Sequence, residues 1–243
     1  MLEKIRQSDP IAPQLFENLR SAIVEMRLKP GEALSEKDIS LRYGVSRQPV
    51  REAFIKLSEA GLLEIRPSRG TYVRKISVRE VADARFVREA IECSLVKHAA
   101  MSAGEDDVRR LYSLVDDQEA AADNNDFTSF NRNDDAFHRA IAGIVNCNYA
   151  QRTVEGARNQ IDRVRFLSLE EVTPLPRLIQ QHRDITASIQ ARDQEQAEHN
   201  MRTHLREILF ALPLIAKANP DAFEDQIMPD HATRLMTTAL SED

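Results

Sequence analysis

From Ser77 to Ala218 the apolar residues return at every third or fourth position, and nowhere do they alternate one by one. That recurrence marks helix faces; a strand would repeat at every second residue. A long stretch of such stripes can bury them only by stacking helices against one another. Gly104 and the segment TPLPR, 173–177, interrupt the pattern. The stripes predict helices near 78–103, 105–124, 126–145, 149–170, 174–191 and 194–216. No internal repeat or low-complexity tract is present. Residues 219–243 are polar and proline-broken, which fits a loose tail or one further helix.

The first 76 residues read differently. LFENLRSAIVEMRL places Leu15, Leu19, Ile23 and Met26 at helical spacing, and KPGEAL is a turn followed by a short extended piece. SEKDISLRY opens with a Ser-Glu start signal and carries Ile39 and Tyr43 one turn apart. Gly44 then sits where a helix ends in a left-handed residue. Ser46 is placed to cap the next helix, and Pro49 falls in its first turn, where no needed donor is lost. Val50, Ala53, Phe54 and Leu57 form that helix's apolar face, leaving Arg47, Gln48 and Arg51 towards solvent. Two short strands, 62–65 and 71–74, follow around a Pro-Ser-Arg-Gly turn. A helix, a glycine turn, a second helix and a basic hairpin make a winged helix-turn-helix.

Charge follows this division. Residues 1–76 hold 14 Lys+Arg against 10 Asp+Glu, a net of +4, while 77–243 hold 19 against 29, a net of −10; together these give the formal −6 of the chain. Two arginines at a helix N-terminus oppose the helix dipole. They make sense if that end meets phosphates and guanine edges, both of which accept from guanidinium groups.

The run KPGEALSEKDISLRYGVSRQPVREAFIKLSEAGLLEIRPSRGTYV resembles the winged-helix domain of the GntR family of bacterial transcription regulators, through PG, E-x-D, GVSR, PVREA, GL and RG. The resemblance implies operator contacts from Lys37, Ser46, Arg47, Gln48 and Arg51, and from the wing at Arg69 and Gly70. Lys37 departs from the arginine often found there.

In the acidic part, the informative residues are polar ones inside apolar stripes. The third predicted helix runs Phe127, Phe130, Asp134, Phe137/His138, Ile141, Ile144/Val145. The fifth runs Leu175, Leu178, His182, Ile185, Ile189, and the last Ala197, Met201, His204, Ile208, Leu212. One histidine on such a stripe is ordinarily a satisfied core residue. Three, with an aspartate four residues from one of them, suggest a shared cation, because a buried aspartate without partners is costly or stays protonated. A divalent cation accommodates neutral imidazoles and an ionised carboxylate together. Three nitrogens and one oxygen suit zinc first, with nickel, iron or manganese as alternatives. By contrast His199 falls on a polar face, and His98 and His231 lack such companions. In the first helix of this part Arg88 lies among Val81, Ala84, Ile91 and Leu95. Glu92, one turn on, can pair with it; alternatively Arg88 awaits a bound anion.

VREAIECSLVKHAA, DDAFHRAI, QQHRDI and MRTHL resemble the all-helical FCD effector domain, and the six-helix length is closer to its VanR-type branch than to the longer FadR type. The resemblance implies Asp134, His138, His182 and His204 as metal ligands and Arg88 as the partner of a small carboxylate effector.

The expectation is therefore a mainly α chain: a winged helix-turn-helix over 1–76, a helical effector and dimerisation bundle of about six antiparallel helices over 77–218, and a tail over 219–243. Its expected role is a cytoplasmic, ligand-responsive repressor that binds a palindromic operator as a homodimer, since one recognition helix reads too few base pairs for selectivity. The other class considered is a metal-dependent hydrolase tethered to DNA. That needs an open metal position and a general base, and no inward carboxylate beyond Asp134 stands out. Cys93 and Cys147 show no metal or disulfide spacing, and the N-terminal segment MLEKIRQSDP has no apolar signal core. The longest apolar run, ILFALPLIA, is half a membrane span and contains a proline.

Overall fold

A computed structural model describes residues 5, 6, 9–169 and 174–239 of the chain. The expected end of the fourth bundle helix at 170, Thr173 of TPLPR and the last four residues of the tail lie outside these residues.

The N-terminal part comprises α1 (Ile11–Val24), β1 (Ala33–Leu34), α2 (Glu36–Tyr43), α3 (Arg47–Glu59), β2 (Leu63–Arg66) and β3 (Gly70–Val73). Ser35 caps α2 by accepting from the Asp38 N–H. Gly44 ends it at φ +65°, with the Val45 N–H donating back to Ser40 O. A residue with a Cβ is strained at that φ, so the tight turn between α2 and α3 depends on glycine there. Ser46 precedes α3 in an extended conformation, but its side chain makes no capping bond. The local spacing is right for a cap, yet the hydroxyl faces solvent at the front of the helix. Leu15, Leu19, Ile39, Val50, Phe54, Leu57, Leu62 and Val73 close one core. The sheet is antiparallel in the order β1-β3-β2, with Ala33 and Glu64 on either side of Tyr72. The hairpin strands sit within a residue of their expected positions, and β1 is the extended piece read in KPGEAL.

The helical part follows as α4 (Val78–Ser102), α5 (Glu105–Asp123), α6 (Phe127–Val145), α7 (Asn148–Leu169), α8 (Leu175–Gln190) and α9 (Gln194–Ala218). Ser77, Asp126 and Asp193 cap α4, α6 and α9 through their side-chain oxygens. Val96, Leu111, Val115, Phe130, Phe137, Ile141, Ile185 and Met201 form the main core. Among the described residues no helix is long and apolar enough to cross a membrane.

Two features depart from simple amphipathic packing. Helix α7 is buried on every side from 158 to 165, although that segment contains Arg158, Asn159, Gln160, Asp162, Arg163 and Arg165. It runs between the winged helix and the bundle, so its polar side chains find partners on both sides. The chain after α9 also returns: Ile76 N–H donates to Ala222 O and Glu224 N–H to Ile76 O, which seats Phe223 beside Ile76, Val81 and Ile215. A tenth helix, α10 (Asp230–Ala239), closes the described chain.

Candidate metal centre and nucleic-acid interface

Helix α6 carries Asp134 and His138 one turn apart; α8 and α9 bring His182 and His204 to face them. All four are buried, and one ligand atom from each lies within 4.8 Å of the others. His182 Nε2 is 3.2 Å from His204 Nε2 and 3.5 Å from Asp134 Oδ1, which lies 4.0 Å from His138 Nε2.

The other nitrogen of each ring faces outward to an acceptor. His182 Nδ1 is 2.6 Å from Gln118 Oε1, His204 Nδ1 is 3.1 Å from Gln181 Oε1, and His138 Nδ1 is 2.5 Å from Glu92 Oε2. Outer acceptors of this kind place the ring proton on Nδ1 and turn a bare Nε2 lone pair inward. Two bare nitrogens 3.2 Å apart repel unless something electropositive sits between them. Asp134 adds to the demand: Oδ2 accepts from Arg158 at 2.8 Å and contacts Arg165, while Oδ1 points inward without a hydrogen-bond partner. Three imidazole nitrogens and a carboxylate oxygen, oriented from behind and unsatisfied in front, fit a divalent transition metal.

The electrostatics agree. Burial pushes the His182 imidazole down to about 3 and also lowers His138 and His204. Burial would raise Asp134, but Arg165, assisted by the imidazoles and Arg158, holds it well below the usual range. Unfolded histidines titrate near about 6.5, so the unfolded chain takes up protons first as pH falls. The stability they contribute is full above that value and is lost below it. For His182 alone, the loss between about pH 8 and about pH 5 is ~2 kcal/mol. Urea unfolding of metal-free protein at the two pH values measures this, and an unchanged midpoint would mean that these rings are not held neutral.

Arg88 is buried on α4 as expected, and it satisfies both readings in part. Its Nε reaches Glu92 Oε1 at 2.5 Å, while Nη2 has no partner. Glu92 therefore links Arg88 to His138. Sequence reasoning missed Gln118, Gln181, Arg158 and Arg165. Gln118 alone left a signal, a glutamine continuing the α5 stripe after Leu111 and Val115.

On the opposite part, the exposed edge of α3 carries Arg47, Gln48 and Arg51, with Ser46 just before it and Lys37 exposed on α2. Arg51 forms a two-pronged pair with Glu36, at 3.1 Å through both Nε and Nη2, and Gln48 donates to Glu52. Arg69 and Gly70 lie at the exposed hairpin tip. Gly70 has φ +107°, and Tyr72 stiffens the tip by donating to Arg69 O.

An ion-pair chain links the two regions. Arg158 bonds Asp134, and its Nε lies 3.7 Å from Asp162 Oδ1. Asp162 Oδ2 accepts from Arg20 of α1 at 2.9 Å, and Arg20 Nε donates to Asn159 at 2.8 Å. Nearby, Gln160 donates to Gly61 O and Arg163 to Arg74 O, both in the winged helix.

Known proteins similar to this chain are transcription regulators. The model of the bacterial regulatory proteins of the gntR family matches residues 11–73, and that of the FCD domain matches 83–207. The HTH-type transcriptional repressor RspR of Escherichia coli (strain K12) is 40% identical over 223 residues, covering 92% of this chain and 98% of its own. A GntR transcriptional regulator from Rhodococcus sp. RHA1 superposes with a TM-score of 0.71 at 25% identity, over 83% of this chain and 97% of its own. E. coli McbR/YncC shares the fold with a TM-score of 0.75 at 20% identity, over 85% and 97%.

Proposed function

Because the chain belongs to the GntR family of bacterial regulatory proteins, with an FCD domain behind its winged helix, it is a DNA-binding transcription regulator, and we propose that it is a cytoplasmic repressor whose hold on a palindromic operator is set by a small organic acid at a metal centre. The hydrolase alternative falls with the family, whose members are regulators. Asp134, His138, His182 and His204 hold the metal, zinc first among the candidates, and the cation supplies a Lewis-acid position for a carboxylate. Arg88 orients that carboxylate through its unpaired Nη2. Lys37, Ser46, Arg47, Gln48, Arg51, Arg69 and Gly70 meet the operator.

The protein acts as a homodimer. Phe86 and Val87 on α4 and Phe210 and Leu214 on α9 are large apolar side chains left exposed, and a second copy is the cover this reading assigns to them.

The observation that carries the regulatory reading is the ion-pair chain from Asp134 through Arg158 and Asp162 to Arg20. Asp134 is a ligand candidate and Arg20 belongs to the winged helix, so a change at the centre shifts charges that hold the two parts together. Operator binding and acid binding then share a coupling free energy and must alter each other by the same factor. Fluorescence anisotropy on an operator selected from random DNA, with and without a panel of organic acids, tests this. Asp162→Asn should keep metal, acid and DNA binding while reducing the coupling several-fold. Acid-independent operator affinity in the metal-loaded parent would end the effector reading.

A further inference from the structure

We propose that the segment returning after α9 is a clamp on the linker between the two parts, and that Phe223 and Glu224, by fixing the direction in which the winged helix leaves the bundle, set the half-site spacing that a dimer accepts on DNA. This rests on the paired-half-site reading above and adds the residues that position the two reading heads.

Only Arg74, Lys75, Ile76 and Ser77 separate β3, which ends at Val73, from α4, which starts at Val78. A few residues between elements are enough to act as a hinge. Here the hinge is held from outside. Ile76 N–H donates to Ala222 O and Glu224 N–H donates to Ile76 O, both at 2.9 Å, so the linker is paired as a strand would be. Ser77 Oγ donates to Asp225 Oδ2 at 3.0 Å while it caps α4 by accepting from the Glu80 N–H. The Asp225 carboxylate thus stands at the N-terminus of α4, where the helix dipole favours it. Both halves of the clamp, 74–77 and 222–225, lie outside the stretches matched by the two family models, 11–73 and 83–207.

Phe223 is the plug. It is 4% exposed and shares one buried cluster with Ile76 of the linker, Val81 of α4, Ile161 and Val164 of α7 and Ile215 of α9. The far end of the segment is moored by α10, where Ala232, Leu235 and Met236 pack with Ala82 and Leu209.

The seam has a reason to open without this plug. Arg163 is fully buried at the joint, and among the described residues no carboxylate forms an ion pair with it. Its Nη2 donates to Arg74 O at 2.7 Å, and its Nε has no partner. Burial, aided by Arg74, pushes the Arg163 guanidinium down to about 10, and Glu80 and Glu224 oppose that. A buried cation without a paired anion gains by meeting water. Water can also replace the hydrogen bonds across the seam, whereas the apolar contact of Phe223 with Ile76 is lost outright on opening.

Clamped heads reach one separation. An added base pair carries a half-site about 3.4 Å along the duplex and about 35° around it. Heads on free linkers can follow that move, and they bind the best spacing less well because they lose more freedom in binding.

The test is fluorescence anisotropy on metal-reconstituted full-length protein. The DNAs are an operator selected from random sequence, the same operator lengthened or shortened by one base pair between its halves, and a duplex carrying one half alone. The parent should prefer the selected spacing by roughly tenfold, and Phe223→Ser should cut that preference to roughly threefold or less with single-half binding as in the parent. Glu224→Pro removes the N–H given to Ile76 O while keeping the plug, and serves if the serine variant does not fold. Phe223→Leu, which keeps an apolar plug, should retain the preference. A Phe223→Ser or Glu224→Pro variant with the parent's preference would overturn the clamp. So would one that loses single-half binding in step with the whole operator, since the segment would then support the head's fold and not its direction. Both results leave the dimer reading in place. A parent that binds every spacing alike, or the single half as tightly as the whole operator, would end the paired-half-site reading and the clamp with it.

Discussion

Replacing His182 or His204 with alanine is expected to strip the metal from the purified protein and to lower its melting temperature by roughly 8–16 °C relative to the metal-loaded parent. A ligand present at about a thousand times its dissociation constant stabilises the native state by about 4 kcal/mol. For a chain of this size each kcal/mol moves the midpoint by roughly 2–4 °C. The centre has no substitute for either ring. His182 and His204 supply the two nitrogens that face each other at 3.2 Å, and with Asp134 and His138 they are the four candidate ligands. Chelator-treated parent is the control that separates metal loss from the substitution itself, because the alanine also leaves Gln118 or Gln181 without its ring partner. Elemental analysis and thermal denaturation, with and without chelator, measure the effect. A parent that takes up no transition metal on reconstitution, and that melts identically in chelator, would reduce the four residues to a hydrogen-bonded core cluster.

The second large effect is expected on DNA. Arg47→Ala and Arg51→Ala should each weaken operator binding by about 1–3 kcal/mol if they read bases, with a smaller change on unrelated DNA. Binding by the parent should fall steeply with salt, because phosphate neutralisation releases counterions. The pair between Arg51 and Glu36 refines this. In the free protein that guanidinium is engaged by a neighbouring carboxylate at 3.1 Å, so reaching a base means leaving Glu36. Glu36→Gln should therefore tighten binding, and Arg51→Ala in that background should cost more than in the parent. Titrations at two salt concentrations read both terms. Variants at 47 and 51 that bind like the parent would mean that this helix edge does not face the operator.

Much of this architecture was legible in the chain. The stripes placed the six bundle helices to within about two residues, the usual uncertainty of helix ends. They also singled out Asp134, His138, His182 and His204, because a polar residue inside an apolar stripe declares its inward direction. Of the outer partners only Gln118 left a trace, on the α5 stripe, and nothing there pointed to His182. Glu92, Gln118 and Gln181 reach their rings from other helices, and periodicity along one helix says nothing about what stands across from it. Arg85, buried on α4, escaped for a related reason. Helix α4 is covered on more than one side, so its buried set is wider than the stripe through Val81 and Leu95. Helix α7 was the hardest to read, since a helix surrounded by polar partners has no stripe to reveal which residues are inside. Ser46 shows the opposite failure: the local signal for a cap was present and the bond is not made.

The polar girdle of α7 bears on how such proteins can be recombined. A winged helix joined to a bundle by a plain linker could be exchanged like a cartridge. Here the joint is a set of matched polar contacts: Arg20 with Asn159 and Asp162, Gly61 O with Gln160, and Arg74 O with Arg163. The returning segment at Ala222 and Glu224 stitches the same seam from the far end of the chain. A DNA reader cut at the seam and grafted onto a foreign bundle would carry Arg20 to a surface with no acid to meet it, and would leave Asp162 with Arg158 alone and Gln160 and Arg163 without their carbonyl acceptors. Inheritance across this joint is therefore by the pair, and a functional chimera needs α1, the wing and the middle of α7 taken from one parent.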